Sequence, residues 1–121
     1  MAEITIEFTG QKEDIDEFCE ALFETDSVGT GTQKEIPGGA TITMGRALLR
    51  KSLGIPRAVE IVLSVGKDLA VGVVATYLYD KLKAHKGEKP HMTIDYREIH
   101  LDKGEITKII EEEIKLLDDE D

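Results

Sequence analysis

A chain of 121 residues has room for one domain with its own core and not for two. With 40% hydrophobic and 33% charged residues, the composition is that of a folded soluble protein rather than a disordered one. A net charge of −10 excludes general affinity for nucleic acid or an anionic membrane. A single Cys cannot form an internal disulfide, and no signal peptide opens the chain, so the expected compartment is a reducing cytoplasm.

Ile4, Ile6 and Phe8 alternate with Glu3, Thr5, Glu7 and Thr9, the period-2 pattern of a strand with one buried face. After Gly10, the residues Ile15, Phe18, Cys19, Leu22 and Phe23 recur at helical spacing among acids, which predicts an amphipathic helix of about three turns. Cys19 falls on its apolar stripe and reads as a small buried hydrophobe rather than a nucleophile. Residues 26–39, punctuated by four glycines and Pro37, read as a long loop without the fingerprint of a phosphate or dinucleotide loop. Ala40–Met44 fits a short strand and Ala47–Leu53 a short helix ended by Gly54.

Pro56 suits a helical first turn. Residues 59–65 fit a buried strand nearly as well as a helix, and the helix is the expectation adopted because Pro56 opens it well. Asp68 to Lys83 predicts a firmer helix with charges that favour its dipole. Its uncharged run, Leu69–Tyr79, is about 16 Å long, too short to span a bilayer. Leu69, Val73, Val74, Leu78 and Leu82 are therefore expected in the core beside the first strand and helix. Two runs, 91–94 and 98–101, flank Asp95 as a hairpin, and Asp102 with Glu105 marks the start of a last helix with an Ile stripe. The expected fold is α+β, one domain over 1–117 with an acidic tail over 118–121. Its small, mainly antiparallel sheet combines the N-terminal strand and the C-terminal hairpin under three to five helices.

The charge is segregated. Residues 1–26 hold one Lys against nine acids and residues 103–121 three Lys against eight, whereas the middle holds eleven basic residues against eight acidic. Arg46, Arg50, Lys51 and Arg57, with no acid among them, form the sharpest basic feature, able to grip an anion or to meet the acidic first or last helix of this chain or a second copy. Arg46 and Arg50, four apart, would share a helix face. Gly72 and Thr76, also four apart, would let a second helix approach closely, and Glu112 and Glu113 are expected on the outward side of the last helix. No nucleophile elbow or EF-hand loop occurs, and the three His and one Cys lack zinc spacing. No catalytic residue, cofactor or metal ligand is therefore assigned.

From Leu78-Tyr79-Asp80-Lys81-Leu82-Lys83, through the hairpin, to Asp102-Lys103-Gly104-Glu105-Ile106, the chain resembles small uncharacterised bacterial proteins whose apolar helix ends in such a sequence. In layout it is similar to effector-associated components of bacterial conflict systems over residues 57–117. The resemblance implies a non-enzymatic adaptor and carries no catalytic residue with it. Two functions are expected from these readings. The first is a self-associating interaction module that docks a larger protein partner. The alternative is an acidic inhibitor or immunity-type protein on a basic site of a toxin or nuclease.

Overall fold

In the computed structural model, which describes residues 2–50, 55–100 and 102–119, the chain runs β1 (Ala2–Gly10), α1 (Lys12–Phe23), β2 (Gln33–Ile36), β3 (Ala40–Arg50) and β4 (Ile55–Val65). It continues through α2 (Val71–Ala84), β5 (His91–Ile94), β6 (Arg97–Ile99) and α3 (Lys103–Asp119). The strands form one six-stranded sheet in the order β2-β3-β4-β1-β5-β6, with every neighbouring pair antiparallel. The fold is α+β as the sequence predicts, but the sheet is larger than expected.

The enlargement comes from the middle of the chain. Residues 59–65 are strand, not helix: Val59, Ile61, Leu63 and Val65 are buried while Glu60, Val62 and Ser64 are not, a strand's alternation. Pro56 lies in β4 beyond Arg57, the last β4 residue that pairs with β1, so its missing N–H interrupts no bond on that side. Ala47–Arg50 likewise ends β3 rather than forming a helix, and Lys51 to Gly54 lie outside the described residues. Arg46 and Arg50 therefore share no helix face. They sit on a strand whose register shifts between Met44 and Ala47 and again between Leu48 and Arg50. The expected 26–39 loop contains β2.

Alternation gives the sheet two unlike faces. Ile4, Ile6 and Phe8 pair with Leu63, Ile61 and Val59, and on the other side Ile6 and Phe8 meet Ile94 and Met92. These residues join Phe18 and Leu22 of α1, Val74, Leu78 and Leu82 of α2, and Ile106 and Ile110 of α3 in one apolar cluster. All three helices thus cover the same face. Val73, expected in the core, is 46% exposed, because the neighbours of α2 cover only part of its circumference. The tight β2–β3 turn abuts the start of α2. Gly38 has φ +100°, and a Cβ there would stand 2.7 Å from Val74 Cγ2 and 2.9 Å from the Ala70 carbonyl.

The opposite face takes the intervening residues: Thr5, Thr9, Thr41, Thr43 and Thr93, together with Glu3, Glu7, Glu35, Glu60 and Glu98. All ten are exposed or half-buried. The apolar stripes of the three helices join the core on the first face, and up to the β3 bulge the register places no Lys or Arg among the described residues of this second face.

Candidate functional site

One cavity of about 370 Å³ lies on the helix side of the sheet, between α1, the 26–30 segment and the bulged part of β3. From α1 the helical spacing brings Asp16, Cys19 and Glu20; the loop adds Asp26, Val28, Gly29 and Thr30. Met44 and Gly45 come from β3, and Arg57 and Val59 from β4. The loop is fastened to the sheet by backbone bonds: Gly31 N donates to Met44 O at 2.8 Å, and Met44 N to Thr32 O at 2.8 Å. Gly29 N donates to the Thr32 hydroxyl at 3.0 Å, which closes the turn.

Inside the cavity, Arg57 is clamped to Asp16 through Nη1, and Asp16 also receives Lys12 Nζ at 3.2 Å. The basic segment thus reaches the acidic first helix through Arg57. The Nε of Arg57 is fully buried and has no acceptor among the described residues. Cys19 is buried beside them. Burial, and after it the charge of Asp16, push its thiol up to about 12, so it stays protonated and unreactive at neutral pH. Glu20 and Asp26 are exposed, and neither is ion-paired within the described residues. The cavity therefore offers apolar walls and two open carboxylates.

The other singled-out residues do not converge on it. Arg46 is exposed at the bulge; Arg50 ends β3, and Lys51 lies outside the described residues. Gly72 and Thr76 sit on the outer side of α2, where Thr76 Oγ1 donates to Gly72 O at 2.8 Å and a Cβ at Gly72 would meet nothing within 4 Å. Glu113 is buried rather than outward. Arg97 bridges it at 2.6 Å and Glu112 at 2.9 Å, tying β6 to α3. Burial and the neighbouring Asp95 carboxyl hold Glu113 above the usual glutamate range, against the opposing pull of Arg97.

Two further contacts fix α2 on α1. His85 Nε2 lies 3.0 Å from Asp14 Oδ1, and the Tyr77 hydroxyl donates to Leu22 O at 2.6 Å. Lys34 and Lys81 converge on Glu24, at 2.8 and 3.2 Å, and hold its carboxyl below the usual range. None of these pairs borders the cavity. The sequence signal for the cavity was slight: Arg57 stood out as basic, but its distance of 41 residues from Asp16 hid the pairing.

Among the described residues no group of three or more His, Cys, Asp or Glu could hold a metal ion, and no helix is long and apolar enough to cross a membrane. No protein-family model matches this chain, and no curated protein or solved structure shows significant similarity to it.

Proposed function

We propose that this chain is a non-enzymatic interaction module that docks a larger protein partner in a reducing cytoplasm. The open face of the sheet carries the reading. Its six strands present a surface about 24 Å across, at the usual strand spacing. Its threonines are short, and Glu3, Glu35, Glu60 and Glu98 give it one sign of charge. A broad sheet face of one charge suits a partner surface better than a small substrate, which needs a pocket. Self-association through the outer side of α2, around Gly72 and Thr76, is the second part of the proposal.

The same acids favour a second reading, the acidic inhibitor that occupies a basic site on a toxin or nuclease. Capture from the source organism's lysate, followed by mass spectrometry, tests the first reading. The partner should be retained by the parent and by Glu105→Arg/Glu111→Arg on α3, and lost by Thr43→Arg/Glu60→Arg on the open face. Equal retention by both variants would remove the open face from docking. Association kinetics with the captured partner separate the readings: an inhibitor's rate should fall about a hundredfold with moderate salt, whereas an adaptor's should change little.

A further inference from the structure

Two of the three imidazoles have no task in the fold. His85 is held by Asp14 at 3.0 Å, whereas His91 and His100 are exposed and make no hydrogen bond or ion pair among the described residues. The β5–β6 hairpin sets where these two stand. Its two-residue turn has Asp95 at φ 49° and Tyr96 at φ 67°, the type I′ geometry that fixes strand register. Ile94 faces Arg97, Thr93 faces Glu98 and Met92 faces Ile99, so the same register carried one residue on sets His91 opposite His100. Pairs alternate along such a hairpin, hydrogen-bonded first at Ile94 and Arg97. The His pair therefore falls on the closer, non-hydrogen-bonded kind, with Cα atoms about 4.5 Å apart.

Met92 and Ile99 are buried while both His are exposed, which puts both imidazoles on the open face. Pairing with Thr9 of β1 anchors His91, and the Asp102 N–H, donating to His100 O at 2.7 Å, anchors the backbone of His100. Adjacent imidazoles suit zinc, nickel or copper; calcium and magnesium take oxygen ligands instead. Glu98, two residues before His100 on the same face, adds charge that attracts a cation.

We propose that His91 and His100 together bind a divalent first-row transition metal of the zinc, nickel and copper class. No group of three or more His, Cys, Asp or Glu among the described residues could hold it, so two imidazoles are the protein's share and water takes the remaining positions. The site needs no docked partner, and its failure would leave the docking reading untouched.

Calorimetric titration of the untagged full chain tests the site. One equivalent of zinc should bind saturably and copper more tightly than nickel or zinc, while calcium and magnesium should not compete. His91→Gln and His100→Gln, at exposed positions, should keep the parent's melting temperature. Each should weaken zinc about tenfold or more, because the second imidazole acts on a metal already held by the first. Glu3→Gln/Glu35→Gln, at the far end of the same face, should leave the affinity unchanged. Electron spin resonance of the equimolar copper complex of the parent needs no variant and should show two coordinated imidazole nitrogens.

Zinc affinity that survives both His substitutions, or a single coordinated imidazole in the copper complex, would overturn the pair. Equal weakening in the Glu3/Glu35 variant, or displacement of zinc by calcium, would reduce the binding to the acidity of the face. Heats no larger than those of buffer alone would remove the site altogether.

Discussion

On one face of the sheet Ile6 lies between Ile61 and Ile94; one residue along, on the other face, Glu7 lies between Glu60 and Thr93. The same strands thus carry both a core and a wetted surface, and only the helices distinguish them. α1, α2 and α3 bury the aliphatic set completely and leave the Thr and Glu set in contact with solvent. Stability should therefore be concentrated on one side of the sheet.

The largest effect expected from this contrast is on the covered side. Leu78→Ala should cost about 2–5 kcal/mol in chemical denaturation, whereas Thr43→Ala on the open face should stay within about 0.5 kcal/mol. Similar losses at the two positions would break the comparison. Gly38→Ala should cost about 1–3 kcal/mol, because the turn against α2 combines a left-handed backbone with contacts too close for a Cβ.

Glu113 sharpens the contrast, since it is a carboxylate on the buried side. Its folded pKa is raised, so the stability it contributes is present below the unfolded value of about 4.3 and is lost as pH rises through the folded value. At neutral pH its charge opposes folding relative to acid. Glu113→Gln should therefore raise the melting temperature relative to the parent more at pH 7 than at pH 4. A difference that is the same at both pH values would show that Arg97 fully compensates the burial. The smallest effect is expected at Gly72→Leu, which meets open space and should change stability by less than about 0.5 kcal/mol. In light scattering it should nevertheless shift any assembly through α2 toward monomer; a parent that is already monomeric at high concentration would end that proposal.

Elements with a strong local signal were legible in the chain. The alternation at Ile4, Ile6 and Phe8, the stripe from Ile15 to Phe23 and the capped Ile helix each fix their own type through neighbours a few residues away. Asp102 accepts the Gly104 N–H at 2.9 Å, the helix start its position suggested, and Asp95 and Tyr96 both take positive φ in the hairpin turn. The 59–65 run misled because Val62 breaks the polar side of its alternation, and Pro56 next to it imitated a helix start. Only pairing with β1 and β3 along both edges decides for a strand.

Composition and local periodicity alone determined an acidic α+β chain with a half-buried first strand, amphipathic first and last helices and a C-terminal hairpin. Tertiary structure decided the rest: that the middle of the chain completes a six-stranded sheet, that Val73 faces water while Val74 does not, that Glu113 is buried under Arg97, and that Arg57 reaches Asp16 across a cavity. Period and capping act over one or two turns and are written in adjacent residues. Strand partnership, the covered side of an apolar helix and the company of a charge depend on residues tens of positions away, which come together only when the core closes.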